Sequence, residues 1–280
     1  MSAGRRLKRL LEPLQVKQVT LRNRIVKPAQ VLGFAADDGN ASPMLIDFYA
    51  TLAKGGVGLI IVESSCVDYP IGGKGQNRLL IHDDAFIPSF SRLADTIHSH
   101  GCPVFLQLSH NGPAGHFSGL QPLAASALAA DEIPISDPRV KYDPPRGMTL
   151  ADIEHAVEKH ADAAWRAKQA GFDGVEVHAG HSYLLNSFLS RAWNRRDDDY
   201  GCRTLETRAR FAAEIVRAIR ARVGADFVVG MRVNGEEWGH EQGITPQESR
   251  GFARILESAG LDIIHVTGWG YGYGAYSWVQ

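Results

Sequence analysis

The sequence predicts an α/β protein built on a parallel sheet. Short, almost continuously apolar runs alternate with longer amphipathic ones, and glycine closes each amphipathic run before the next apolar one begins. The chain has 280 residues, 44% of them hydrophobic and 22% charged, which suits one α/β domain of barrel size.

The apolar runs, read as strands, cover residues 24–30, 57–62, 104–108, 174–178, 227–233 and 263–266. They carry few alternating polar residues, as strands covered on both faces do. Helical patterns lie between them. The first covers residues 43–54 and stops at Gly55-Gly56; the second covers 85–100 and stops at Gly101. The third covers 150–170, with Thr149 as N-cap, Asp152 in the first turn and Gly171 as stop. The fourth covers 204–223 and ends at Gly224. The fifth covers 245–259, where Thr245, Pro246 and Glu248 supply a cap, a proline at the first helical position and an acid at the third. Repeated βα units with short turns imply right-handed crossovers and parallel pairing. Two stretches break the rhythm. Residues 110–148 read as an elaborated loop after the third strand, and the Gly/aromatic stretch 268–280 also reads as loop. With no repeat or linker, residues 1–280 form a single domain.

A net charge of −1 argues against nucleic acid as a partner, and no apolar run is long enough to span a bilayer. The basic start (Arg5, Arg6, Lys8, Arg9, Lys17) has no apolar segment after it and reads as a solvated leader, not a secretory signal. Cys66, Cys102 and Cys202 are odd in number and far apart, with no C-x-x-C pair. They suit packed thiols in a reducing cytoplasm and offer no zinc or iron–sulfur site.

The chemistry concentrates after the fourth apolar run. His178 ends that run, and His181 and Tyr183 follow in the strand-to-loop turn. The C-terminal end of a parallel strand is where such sheets hold ligands. Two imidazoles there can donate to a carbonyl oxygen or anion, and a phenol can supply a proton. A metal pair or a pair of structural histidines is the alternative at equal weight, because H-x-x-H has no third ligand at a telling spacing. Arg232 lies inside an apolar run, where a charge needs a partner. It serves either a bound anion or a salt bridge, with Glu176 as candidate. Gln107, inside the third run, needs partners for both ends of its amide, and Glu63 ends the second run in a similar position. The glycine clusters at 55–58 and 268–274 miss the dinucleotide-binding pattern.

Together these motifs resemble the NADH:flavin oxidoreductase, or Old Yellow Enzyme, family. The resemblance runs from Leu11-Glu-Pro-Leu14 through Lys54-Gly-Gly-Val-Gly-Leu-Ile-Ile-Val-Glu63 and Leu106-Gln-Leu-Ser-His-Asn-Gly112. It is strongest in Gly174-Val-Glu-Val-His-Ala-Gly-His-Ser-Tyr-Leu-Leu-Asn186, Asn194-Arg-Arg-Asp-Asp-Asp-Tyr-Gly201 and Leu205-Glu-Thr-Arg-Ala-Arg-Phe211. It implies a (β/α)8 TIM-type barrel with FMN at its mouth and NAD(P)H as reductant. Ala29, Gln30, Val31 and Ser64 would line the flavin ring, Gln107 would meet its pyrimidine edge and Arg232 its N1/O2 region. His178 and His181 would hold the substrate oxygen, and Tyr183 would donate the proton. The implied reaction passes hydride from NAD(P)H through the flavin to an activated alkene, an enone or an enoyl or dienoyl thioester. The sequence Lys27-Pro-Ala-Gln30 departs from the common Ala-Pro-Met and is nearer the larger dienoyl-CoA reductase and amine dehydrogenase branch. That branch adds oxidation of N-methylated amines as an alternative, and a 4Fe-4S cluster where a further C-terminal segment supplies cysteines.

The matches account for six of eight barrel strands, so the expectation is an incomplete barrel lacking strands seven and eight. Open edges of that kind call for a homo-oligomer or a second chain. A non-catalytic remnant is the reading from another class.

Overall fold

In a computed structural model of the chain, the described residues are 8–73, 77–115, 119–134 and 143–271. The chain enters through a hairpin of β1 (Leu14–Val16) and β2 (Val19–Leu21). Next come β3 (Val26–Lys27), α1 (Pro43–Lys54), β4 (Leu59–Cys66), β5 (Leu79–Leu80), α2 (Ile87–His98) and β6 (Val104–Ser109). A small parallel pair, β7 (Leu123–Ala124) with β8 (Arg146–Gly147), precedes α3 (Leu150–Gln169). The rest of the chain is β9 (Gly174–Ala179), α4 (Leu184–Leu189), α5 (Leu205–Val223), β10 (Val228–Trp238), α6 (Pro246–Ser258) and β11 (Ile263–Gly270).

The main sheet runs β3-β4-β6-β9-β10-β11, every neighbour pair parallel, with β5 added beside β4. Spatial order follows chain order. The sheet is therefore wound in one direction, the winding of a barrel and not of a doubly wound sheet. The helices start where the sequence places capping residues. Ser42 caps α1, and Thr149, Thr204 and Thr245 form reciprocal capping boxes with Asp152, Thr207 and Glu248. Each box satisfies two backbone N–H groups that have no partner inside the helix.

Alternation along each strand sorts side chains into two sets. Ile60, Val62, Val104, Leu106, Leu108, Val175, Val177, Val229 and Met231 pack in the large core with the helices. Leu59, Ile61, Phe105 and Val228 face the other way and form a smaller core with Val19 and Leu21 of the entry hairpin. The hairpin thus plugs the N-terminal end of the concave face, which puts apolar filling at one end of the strands and leaves the other for polar residues.

Several elements differ from the sequence expectation. Only Val26–Lys27 of the run 24–30 is strand, because Pro28 has no N–H to donate to a ladder. Strand β4 continues to Cys66 because Ser65 and Cys66 pair with both β5 and β6. Strand β10 extends to Trp238 and β11 to Gly270, so residues 268–270 are strand; residues 272–280 lie outside the described part. The hairpin and α4 had no clear signature, being too short for a periodic pattern. The loop 110–148 holds β7, β8 and a turn at Gly112–Ala114, with residues 116–118 and 135–142 not described. Among the described residues β11 pairs only with β10, and its Val266 is 61% exposed.

Candidate active site

The polar layer of the concave face begins one level above the apolar plug. Gln107 is registered opposite Glu176, and Arg232 opposite both His178 and His265. Glu176, buried, accepts from Gln107 Nε2 at 2.7 Å and contacts His265 Nδ1 at 2.7 Å. The expected alternative of an Arg232–Glu176 salt bridge is therefore not formed, because Glu176 spends its two oxygens on neighbouring strands. Its charge-assisted bond to Gln107 also fixes which end of that amide faces inward.

Arg232 instead donates to the Ala29 carbonyl at 3.2 Å and to Thr267 Oγ1 at 3.1 Å, and its Nε, buried, has no partner. Both partners are neutral, so the guanidinium is a half-buried cation without a carboxylate on it. Burial lowers its pKa from the usual arginine value.

The two histidines form a chain of hydrogen bonds. His178 Nδ1 accepts from the Gly180 N–H at 3.2 Å, which puts the ring proton on Nε2. That Nε2 lies 3.1 Å from His181 Nδ1, and His181 Nε2 lies 3.0 Å from Thr267 Oγ1. Burial holds His178 well below the usual histidine range, helped by the neighbouring His181 and Arg232. His181 is pushed down to about 3, by burial first and Arg232 second. Both imidazoles are neutral near pH 7, and each offers one N–H.

The backbone that carries them is strained. His181 and Ser182 have φ of 57° and 61°, a region non-glycine residues rarely occupy. Side-chain amides hold them there: Asn234 Oδ1 accepts from the His181 N–H at 3.1 Å, and Asn186 Oδ1 from the Ser182 N–H at 2.9 Å. Both amides are fixed by one buried carboxylate. Glu237 Oε1 accepts from Asn186 Nδ2 at 2.9 Å and Asn234 Nδ2 at 2.8 Å; Oε2 accepts from Ser190 Oγ at 2.6 Å and the Ile244 N–H at 3.0 Å. A register shift between Asn234 and Glu236 lies in the stretch of β10 that carries both Asn234 and Glu237, a bulge beside a site. Gly180 has no room for a side chain, since a Cβ would lie 2.7 Å from Asn234 Oδ1.

Tyr183 packs its ring 4.7 Å from that of His178 and lines a cavity of 90 Å³ with Val31 and Ser64. Ser64 Oγ donates to Ser109 Oγ at 2.6 Å. Trp269 lies over His181, centroids 4.9 Å apart, and its indole N–H donates to Ser182 Oγ at 3.0 Å. Just after β3, Ala29 is buried, Val31 half-buried and Gln30 exposed. Glu63 is fully buried within β4. Its Oε2 accepts from the Leu32 N–H at 3.3 Å, its Oε1 has no partner, and burial pushes its pKa up to about 7.

The structure thus gathers His178, His181, Arg232, Tyr183, Gln107, Ala29, Val31 and Ser64 at the C-terminal ends of the strands, with Gln30 at the rim. Asn186, Asn234, Glu237, Thr267 and Trp269 were not among the expected site residues. Thr267 and Trp269 continue the alternation begun by Ile263 and His265, a signal the glycines between them obscured. Asn194, Arg196 and Arg208 belong to the architecture. Asn194 Nδ2 binds the carbonyls of Phe188 and Tyr200, Arg196 those of Ala125 and Met148, and Arg208 that of Leu189 and the carboxylate of Glu248. Among the described residues no group of three or more His, Cys, Asp or Glu could hold a metal ion, and no helix is long and apolar enough to cross a membrane.

Residues 9–269 match the model of the NADH:flavin oxidoreductase / NADH oxidase family, and the chain belongs to that family. It is 40% identical over 256 residues to an NADH oxidase of Thermoanaerobacter brockii, covering 90% of this chain and 38% of the oxidase. Among solved structures, a 2-naphthoyl-CoA reductase in complex with 2-naphthoyl-CoA superposes with a TM-score of 0.85 at 32% identity, over 94% of this chain and 41% of the reductase. An old yellow enzyme homologue from Zymomonas mobilis superposes with a TM-score of 0.80 at 28% identity, over 92% of this chain and 72% of the homologue. The chain spans about two fifths of the length of the NADH oxidase it matches.

Proposed function

We propose that this chain is the FMN-binding part of an oxidoreductase that passes hydride from NAD(P)H to an activated alkene. The observation that carries the reading is Arg232: a half-buried cation at the barrel mouth with no carboxylate on it and a spare buried Nε–H, beside two neutral imidazoles. That donor set fits the flavin ring, whose pyrimidine edge gathers negative charge on reduction. Arg232, Gln107 and the backbone and side chains of Ala29, Gln30, Val31 and Ser64 would hold it, with His178, His181 and Tyr183 facing the substrate.

Bound FMN would supply the two-electron relay between nicotinamide and alkene. The protein groups supply polarisation and the proton. His178 and His181 donate their N–H groups to the substrate carbonyl oxygen in place of their present neutral acceptors. Because both rings are neutral, no proton is lost to the oxygen, and the donors stabilise the negative charge that builds there as hydride reaches the β-carbon. Tyr183 then donates its phenolic proton to the α-carbon and recovers one from solvent. The balance is NAD(P)H, one proton and a C=C bond giving NAD(P)⁺ and a saturated C–C bond.

Strand β11, bonded on one side only among the described residues and exposing Val266, supports pairing with a further segment or a second chain to close the barrel. The three cysteines are free, which supports a reducing cytoplasm as the compartment. The test is the visible spectrum of the purified chain with an FMN titration, followed by anaerobic reduction with NADH or NADPH and reoxidation by an enone. Bound flavin with shifted bands and an alkene-dependent reoxidation is expected. A colourless protein that takes up no added FMN would overturn the proposal for this chain.

A further inference from the structure

The cavity that Tyr183 lines also has a charged residue in its wall. Arg78, in the segment leading into β5, lines the same 90 Å³ space with Ser64, Ser109 and Asn111. Among the described residues it makes no hydrogen bond and no salt bridge within 4.0 Å. Several other arginines among the described residues are engaged differently: Arg146, Arg166, Arg196, Arg208, Arg220 and Arg222 each hold a carboxylate at hydrogen-bond distance. Arg78 acts electrostatically on Glu63, which burial keeps partly protonated near neutrality and which turns its Oε2 to the Leu32 N–H. Beside apolar Val31, Leu79 and Ala114, the walls carry the hydroxyls of Ser64, Ser109 and Tyr183 and the amide of Asn111, groups that hydrogen-bond a carboxylate without adding charge. Its volume of about 90 Å³ is ample for a small polar group.

We propose that Arg78 selects substrates carrying a carboxylate, so that the chain acts on alkenes whose far end is an anion. This rests on the alkene-reduction reading above and adds the substrate class. The carbonyl end of such a substrate meets His178 and His181. The carboxylate lies past Tyr183 against Arg78, and the carbon that Tyr183 protonates lies between the two. An arginine fits this task because its planar fork donates two parallel N–H bonds to one carboxylate.

The test uses the FMN-loaded full chain with 4-oxopent-2-enoate and its methyl ester, in which a methyl group removes the charge at one end. Calorimetric titration with the saturated 4-oxopentanoate and its methyl ester runs in parallel and needs no turnover. The wild type should favour the acid over the ester by about tenfold to a hundredfold in kcat/KM, mostly through KM, as a charge-assisted pair in a half-closed site does. Arg78→Gln should bring that ratio near one and leave the ester within about twofold of wild type, and Arg78→Lys should restore part of it. The saturated acid should bind the wild type and lose about the same factor in Arg78→Gln.

A yellow, active protein that treats acid and ester alike would overturn this inference and leave the alkene-reduction reading standing. A protein that binds 4-oxopentanoate in an Arg78-dependent way yet reduces neither alkene would overturn the reaction and keep the carboxylate site. Binding of 4-oxopentanoate that is unchanged in Arg78→Gln would overturn the inference whatever the activity.

Discussion

Replacing Glu237 by glutamine changes one oxygen to an amide nitrogen and nothing in shape. The carboxylate accepts four hydrogen bonds at 2.6 to 3.0 Å and is 6% exposed. A glutamine can keep its oxygen toward the two asparagine amides. Its NH₂ then faces the Ser190 hydroxyl and the Ile244 N–H. The hydroxyl can turn to accept, but the backbone N–H cannot, so one buried donor is left unsatisfied, at about 1–3 kcal/mol. The bonds that remain lose their charge assistance. The total is about 2–4 kcal/mol, or roughly 4–8 °C in Tm at about 2 °C per kcal/mol for a domain of this size. The functional cost is local. Asn234 and Asn186 hold His181 and Ser182 at positive φ, strain of about 1–3 kcal/mol per residue. Weakening their anchor lets the turn relax and moves His181 off Thr267. Thermal unfolding reads the first effect, and ¹⁵N spectra of the histidine rings read the second, with His181 passing from one tautomer to a mixture. A Glu237→Gln protein that melts within about 1 °C of wild type and keeps its ring signals would refute the claim that this carboxylate positions the pair.

Two further outcomes follow from the same geometry. Tyr183→Phe should slow reoxidation by alkene at least tenfold while leaving reduction by NAD(P)H within about twofold; equal losses in the two half-reactions would count against the proton-donor role. Stability should fall steeply below pH 6.5. His110, His160, His178 and His181 are buried with pKa values held below the ordinary histidine value. The native state thus binds fewer protons than the unfolded chain, and their contribution, complete above about pH 7, is lost as pH falls through the unfolded value of about 6.5. Glu63 acts in the opposite sense: its native value of about 7 lies above the unfolded one, so it favours folding at low pH and that contribution fades as pH rises through about 7. The difference at pH 5.5 is about three protons, or roughly 4 kcal/mol per pH unit. Urea midpoints between pH 7.5 and 5 measure it, and a flat profile would show that the imidazoles can protonate in place.

Much of this protein is legible in its sequence. The apolar runs and glycine stops fix six strands and five helices in order, because a strand covered on both faces cannot tolerate polar residues and a helix end needs a cap. His178, His181, Tyr183, Gln107 and Arg232 stand out for a related reason: polar groups inside or just after apolar runs need partners, so they announce themselves. What the tertiary structure alone decides is which partners those are. Glu176 joins Gln107 and His265, not Arg232, because strand register sets its neighbours, and no local pattern encodes register. Glu237 lies about 55 residues from the histidines it positions, and Arg78 about 105 from the tyrosine whose cavity it shares. Their importance comes from the curl of the sheet, which brings the ends of separate strands to one mouth. The sequence determines each residue's need for a partner; the closure of the sheet determines whether that need is met within the chain or left for a ligand.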